Sequence, residues 1–302
     1  MLEVLTRAGC FVAIIILGFI LKKIGLFKSS DFSVLSNVVL KITLPAAIVT
    51  NFANKELDTN LLIICLLGLG CGAIYIALGF LFNLKSNREK RAFDVLNLPG
   101  YNIGCFAMPF VQNFLGPMGV IATSLFDIGN GFICLGTSFS IATMVKDGGK
   151  FSVKRIIRTL SKSVPFLFYL VMPTLCLLRI PIPSVIMTFA QIVGNANPFL
   201  AMFMIGVGFQ LTFNKTQLGR ITKHLAIRYG VALILAFVFY MFLPFSSEIR
   251  KALVILLFSP IGAAVPSFTG ELKGDVGLSS AINSISILCS IILIVSVLLL
   301  IP

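Results

Sequence analysis

Long runs of apolar residues, separated by short polar connections, extend along the whole chain. Each run has roughly 17 to 25 residues, the length that crosses a lipid bilayer as an α-helix. A transmembrane barrel is not expected, because its strands alternate apolar and polar residues over short segments. The pattern therefore predicts an all-α membrane protein with ten transmembrane helices. The predicted spans are residues 4–21, 32–53, 60–82, 92–114, 118–144, 163–179, 184–212, 224–244, 250–270 and 277–301.

The composition agrees with burial in lipid. Of the 302 residues, 58% are hydrophobic and only 12% are charged, whereas a soluble domain carries about twice that share of charge. The seven cysteines lie within the apolar runs and show no C-x-x-C spacing, so we expect packing residues and no metal or redox site. The whole chain, residues 1–302, is expected to form one transmembrane domain.

The positive charge indicates the topology. The net charge of +13 does not point to a nucleic-acid partner, because the Lys and Arg residues lie in short connections without interleaved aromatic residues. Eighteen of these cations fall on one side of the predicted membrane and five on the other. The positive-inside rule therefore places both termini outside the cytoplasm. This count assigns Arg228 to the cytoplasmic connection before span 8. In the connection 146–162, residues 151–160 predict a helix at the membrane surface.

The two halves of the chain resemble each other around two proline-containing segments. With one inserted residue, the sequence of residues 107–119 aligns with that of residues 264–277. The repeat unit is five spans, with one copy at about residues 1–145 and the other at about residues 163–302. Because five is an odd number, the two copies are expected to lie in the membrane with opposite orientation. The aligned pairs are Pro109 with Pro266, Gly116 with Gly274 and Gly119 with Gly277.

Spans 4 and 9 are predicted to be broken helices. Their prolines remove backbone hydrogen bonds, and nearby glycines such as Gly104 and Gly262 tolerate irregular backbone. Irregular backbone at membrane depth is found only where it is buried in protein or lines a cavity. We therefore expect the two breaks to meet near the midplane, where helix N-termini offer N–H groups to an anion. In span 9 either Pro260 or Pro266 can mark the crossing.

Ionisable side chains are few within the hydrocarbon region of the predicted spans, and three of them are considered as candidates. Asp127 in span 5 either holds two helices together or is a coupling site for a proton or a cation. Lys41 in span 2 either reaches the interface or is a countercharge for an anionic substrate. Asp94 lies near the start of span 4. The lone histidine, His224, is assigned to a basic loop, so no catalytic pair is expected and the chain is not predicted to be an enzyme.

Several amide side chains lie at about the same predicted depth in the membrane as the two breaks. Single amides in a membrane often only join helices, but their association with the breaks favours a polar cavity. They are Asn51, Asn102, Asn130, Asn195, Asn197 and Asn283.

These motifs resemble those of the auxin efflux carrier family of membrane transporters. The resemblance rests on Asn102-x-Gly104-x-x-x-x-Pro109, on Phe126-Asp127-x-x-Asn130 and on Ser259-Pro260. It implies ten helices in two inverted five-helix repeats with helices 4 and 9 broken and crossed. It also implies a scaffold of spans 1, 2, 6 and 7 and a transport domain of spans 3–5 and 8–10. The long central loop of the plant carriers is reduced here to residues 146–162, which suits a bacterial member.

The resemblance implies a secondary transporter of a small organic anion that works by alternating access in the plasma membrane. A carboxylate such as malonate, another mono- or dicarboxylate, or an auxin-like acid is the expected substrate. One alternative is a Na⁺-coupled symporter of bulkier organic acids of the bile-acid type, and another is a ligand-sensing membrane module. The expected partners are the anion and the lipid bilayer, no cofactor beyond H⁺ or Na⁺ is expected, and a homodimer is left open. The candidate substrate-binding residues are Asn51, Asn102, Gly104, Pro109, Pro260, Gly262, Pro266 and Asn283, with Asp127 and Asn130 for the coupling ion.

Overall fold

The computed structural model describes residues 2–28, 30–53, 55, 57–148, 150–209 and 215–301. Every regular element in these ranges is helical. In the first half the helices are α1 (Leu2–Lys23), α2 (Asp31–Val38), α3 (Leu44–Phe52), α4 (Ile63–Leu81), α5 (Arg88–Asn97), α6 (Met108–Phe114), α7 (Pro117–Phe132) and α8 (Ser138–Asp147). In the second half they are α9 (Val153–Leu160), α10 (Val164–Leu177), α11 (Ser184–Gly194), α12 (Asn197–Gly208), α13 (Leu218–Phe242), α14 (Ser247–Leu257), α15 (Val265–Glu271) and α16 (Val276–Leu300).

The helices coincide with the ten apolar runs. Within the described ranges, seven helical segments are long and apolar enough to cross a membrane, or eight if the bent pair α9 and α10 is taken as one span. The chain is thus an all-helical, multi-pass membrane protein. Ten crossings and an inverted repeat stay predictions. Residues 210–212, the predicted end of span 7, lie outside the described residues.

The helices pack in two groups. Helix α1 lies along α12, and α3 packs against both α10 and α11, which joins the segments of spans 1, 2, 6 and 7. In the other group α4 packs against α7, α5 against α8, and α14 against α7 and α13. Fewer contacts join the groups, mainly through α7 and α12. The grouping matches the scaffold and transport domains that the resemblance implies.

Spans 2 and 7 meet at their prolines. A π-helical turn at Val39–Thr43 joins α2 to α3, and Pro45 follows in the first turn of α3. On the facing span, Pro198 lies in the first turn of α12, directly after the chain leaves α11. Thr43 Oγ1 donates to Asn197 Oδ1 at 3.0 Å, and both side chains are buried. The two bends therefore satisfy each other's polar groups inside the protein.

The predicted surface helix is present as α9. It is bent by 79° from α10, and its buried residues Ile156 and Leu160 pack against Phe166. Its exposed Arg155 forms an ion pair of 2.6 Å with Glu271 and lies 3.8 Å from the centre of the Phe139 ring. The helix is thus held to the protein, and its location at the membrane surface stays a prediction.

Helices α4 and α7 approach each other closely at glycines. A Cβ at Gly68 would overlap the backbone of Phe126, and a Cβ at Gly129 would overlap the backbone of Cys65. Such contacts are typical of membrane helices, where packing and not water drives association. Gly70, which belongs to the same glycine stripe of α4, has open space around its Cβ position.

We expect Gly129→Ala to destabilise the protein by about 1–3 kcal/mol, because α4 must move away from α7 to admit the methyl group. Gly70→Ala is the matched control, and we expect it to be neutral or stabilising by up to about 1 kcal/mol, since alanine favours helix. Thermal unfolding in detergent micelles measures both. Equal effects of the two substitutions would contradict the close contact at Gly129.

Candidate functional site

Span 4 is broken between α5 and α6. Helix α5 ends at Asn97, and helical structure resumes with a π-helical turn at Ile103–Ala107 that continues into α6. Within the break, Gly100 has φ +85°, a left-handed conformation in which an L-residue is strained. A Cβ there would also overlap Cys134 Sγ. This position therefore requires glycine.

Span 9 is broken in a corresponding way. Helix α14 ends at Leu257 and α15 begins at Val265, with Pro266 in its first turn. The Cβ position of Gly262 lies 2.9 Å from the same Cys134 Sγ that faces Gly100. Pro109 occupies the first turn of α6 as Pro266 occupies that of α15, as the sequence alignment of the two halves predicts.

The two breaks cross at Pro260. The backbone N–H of Asn102 donates a hydrogen bond of 2.9 Å to the Pro260 carbonyl oxygen, which joins the two breaks directly. Of the two prolines in span 9, Pro260 therefore lies at the contact, and Pro266 begins the second half-helix.

Each break is also held by a polar side chain of the following span. Asn130 Oδ1 accepts from Tyr101 N, and Asn130 Nδ2 donates to Tyr101 O, each at 2.9 Å. In the second half, Asn283 Nδ2 donates to Ile261 O at 3.0 Å, and Ser286 Oγ accepts from Ile261 N at 3.2 Å. In both halves one backbone residue of the break thus has its N–H and its C=O satisfied from the next span.

Arg228 of α13 contacts both breaks at once. Nη1 donates to Leu98 O, and Nη2 lies 2.9 Å from Gly100 O, 3.0 Å from Ser259 O and 3.3 Å from Pro260 O. The side chain is fully buried. The assignment of Arg228 to a basic loop was therefore wrong, because α13 begins at Leu218 and carries this residue nearly three turns into the protein.

A cavity of about 240 Å³ lies beside the crossing. Asp127 lines it and is partly buried, with Oδ1 accepting a 2.8 Å hydrogen bond from Asn130 Nδ2. The buried Tyr169 hydroxyl faces Asp127. Of the predicted site residues, Asn102, Gly104, Asp127, Asn130 and Gly262 line this cavity, together with Lys41.

A second cavity, of about 270 Å³, adjoins the first. Pro266 and Asn283 line it, and Asn102 and Ala263 line both cavities. The Asn102 side chain is buried, and within the described ranges its amide makes no hydrogen bond. An amide without a partner between two cavities is free to bind a ligand.

Three candidates line neither cavity. Asn51 donates to Ala47 O within its own helix at 2.6 Å, and Pro109 is buried in α6. Neither residue lines the two cavities at the crossing. Pro260 also lines neither of them, because its carbonyl is used by Asn102 and Arg228.

The first half of the chain is similar to a known family. The model of a family described as membrane transport protein matches residues 10–154, just under half of the chain. No curated protein matches the chain. The match indicates a membrane transporter. The matched segment includes the break in span 4 and Asp127, whereas Arg228 and the break in span 9 lie beyond it.

His224 of the transporter is also not in a loop. It lies in α13, is buried, and its Nδ1 is 3.4 Å from Asp94 Oδ1, while Asn83 Nδ2 donates to Asp94 Oδ2 at 2.7 Å. His224 and Arg228 are four residues apart and therefore share one helix face. Arg220 lies one turn earlier on the same face and is exposed, so spacing alone does not show which of these cations is buried.

We expect Asn130→Ala to destabilise the transporter by about 1–3 kcal/mol for each backbone group of Tyr101 that it leaves unsatisfied. Asn113→Ala is the matched control, because among the described residues the Asn113 amide bonds only to Pro109 O in its own helix, and we expect a loss below about 1 kcal/mol. Thermal unfolding in detergent tests the pair, and similar losses would argue against a special role for Asn130.

Proposed function

We propose that the chain is a secondary transporter that moves a small organic anion by alternating access, coupled to protons. The observation that carries the proposal is the crossing of two broken helices beside cavities that contain a free amide, Asn102, and a carboxyl group, Asp127. Broken helices that meet at a substrate site are typical of secondary transporters.

The anion is proposed to bind at the N-terminal ends of the second half-helices. The helix that begins at Ile103 and the helix α15 both start at the wall of the first cavity, where the helix dipoles give partial positive charge. The Asn102 amide and the Tyr169 hydroxyl add hydrogen-bond donors. Lys41 lines the same cavity and is exposed, so it supplies a countercharge near the entrance.

Asp127 is proposed to carry the coupling proton. Its Oδ2 is 3.8 Å from the Cβ position of Gly104, in the first helical turn after the break, so the carboxylate competes with an anionic substrate for the same positive helix end. Two negative charges close together in a poorly hydrated site disfavour each other. Binding of the anion therefore favours a proton on Asp127, which couples proton movement to anion movement.

A proton fits this site better than Na⁺. The oxygen of Asn130 already accepts from Tyr101 N, and its amide hydrogens bond to Tyr101 O and Asp127. Asn130 therefore serves to hold Asp127 against the break and not as a ligand for a metal ion. Both cavities are smaller than the roughly 300–1,000 Å³ of drug-sized ligand pockets. Their size supports a small carboxylate, such as malonate, over a bulky organic acid of the bile-acid type.

The two packing groups supply the parts for alternating access. We propose that the helices of spans 3–5 and 8–10 move against those of spans 1, 2, 6 and 7 in the plasma membrane. The cation distribution supports extracytoplasmic termini, with seventeen cations on the cytoplasmic side once Arg228 is removed from the count. In that orientation both cavities lie near cytoplasmic span ends, at Lys162 and Phe209, which corresponds to an inward-facing state.

We expect Asp127→Asn to reduce anion flux driven by a pH gradient at least about tenfold, because the amide carries no exchangeable coupling proton. The measurement is uptake of labelled malonate, malate and indole-3-acetate into proteoliposomes. Asp147→Asn is the matched control, because Asp147 is an exposed carboxylate at the end of the same long helical segment, Pro117–Asp147.

Unchanged driven flux in Asp127→Asn would assign Asp127 to structure alone. An absence of transport of any small anion by the wild-type protein, together with no stabilisation by these anions, would reject the transport proposal itself.

A further inference from the structure

Four backbone carbonyl oxygens converge on the Arg228 guanidinium. Two belong to the break in span 4, Leu98 O and Gly100 O, and two to the break in span 9, Ser259 O and Pro260 O. We call these four oxygens the carbonyl cage. In transporters with broken helices, carbonyls of unwound backbone and half-helix C-terminal ends are the groups that coordinate a coupling cation. We infer that Arg228 is the resident cation of the cage, so that no mobile cation binds at the crossing.

The charge of Arg228 is balanced by the backbone. Its side chain is fully buried, and among the described residues it takes part in no ion pair with a carboxylate. Helices α5 and α14 both end at the cage. Each C-terminal end carries roughly half a negative charge, so two ends together match one guanidinium. Removal of Arg228 leaves that negative potential and four carbonyls without a partner.

Aromatic rings complete the surroundings of the cation. The guanidinium carbon lies 5.0 Å from the ring centre of Tyr101 and 5.5 Å from that of Tyr75, distances at which a cation is attracted by a ring face. The Tyr75 hydroxyl also donates to the Arg228 backbone carbonyl at 2.8 Å, which fixes the helix that carries the arginine. Arg228 is thus a positioning residue that keeps the two breaks in contact.

This inference deepens the proposed function and rests on it for its meaning in transport. A cation that is covalently part of α13 cannot be exchanged between the two sides of the membrane. Charge coupling is then left to Asp127, and anion flux should not depend on Na⁺. The cage itself is tested without any transport measurement.

The test compares Arg228→Ala with Arg220→Ala, an exposed arginine of the same helix, in thermal unfolding of the full chain in detergent. We expect the melting temperature of Arg228→Ala to fall by about 5 °C or more, and that of Arg220→Ala to change by less than about 2 °C. Guanidinium chloride at about 10 mM, far below denaturing concentrations, should recover at least half of the loss in Arg228→Ala. It should not stabilise the wild type or Arg220→Ala.

Any one of the following results would overturn the inference. The first is an Arg228→Ala protein that is as stable as the wild type, and the second is recovery by guanidinium that is no greater than in Arg220→Ala. If Arg228→Ala is not recovered as a folded protein, purification with guanidinium present throughout should restore it, and failure to do so counts against the cage. The third is a Na⁺-specific rise in wild-type stability, against choline at equal ionic strength, that persists in Asp127→Asn.

The variant Arg228→Lys tests geometry separately from charge. It keeps one positive charge but offers a single nitrogen, so we expect a melting temperature between those of the wild type and Arg228→Ala. A lysine variant as stable as the wild type would show that the positive charge at position 228, and not the geometry of the guanidinium, holds the two breaks together. If guanidinium recovery is seen but no anion is transported, the cage stands and the proposed function fails. If anion transport is seen but guanidinium recovery is not, the cage fails and the proposed anion transport stands.

Discussion

Satisfaction of the irregular backbone at the crossing is the constraint on which the rest of this structure depends. A break in a membrane helix exposes N–H and C=O groups that lipid cannot bond, so the protein itself must supply every partner. Here the partners are other parts of the chain: Asn102 N–H on Pro260 O, Asn130 on Tyr101, Asn283 on Ile261, and Arg228 on carbonyls of both breaks. Helix α13, span 5 and span 10 carry the side chains of Arg228, Asn130 and Asn283, so each of them must pack against the crossing.

The crossing separates two kinds of helix end. The C-terminal ends of α5 and α14 meet Arg228 in a buried cage of carbonyls, whereas the N-terminal ends of the second half-helices meet the cavity that holds Asp127. In our proposal the first pair of ends is permanently neutralised and the second pair is neutralised by either a carboxylate or a bound anion. Only the charge balance at the N-terminal ends can therefore change. In our proposal, this is why the crossing couples proton movement to anion movement.

The sequence predicted the breaks well because prolines and glycines act locally. Pro109, Pro266 and Gly104 stand where the helices restart or face the cavity, and the cavity does contain Asp127 and Asn102. Arg228 and His224 were placed wrongly for a physical reason. A cation near the end of an apolar run is normally solvated, and only the tertiary arrangement shows that the carbonyls of two breaks offer a better partner than water. The same limit applies to Asn51, whose amide bonds within its own helix.

The large sequence separation between Arg228 and its carbonyl partners affects the order in which the protein assembles. Arg228 lies 130 residues after Leu98, whose carbonyl it satisfies. While the ribosome is still producing the second half, the break in span 4 is therefore already in the membrane without its partner. The N-terminal half is then an unfinished intermediate with unbonded backbone at depth, a state prone to misassembly and to recognition by quality-control proteases. Completion of the crossing is a late event in biogenesis, and a chain truncated before α13 cannot reach the native arrangement of its own first half.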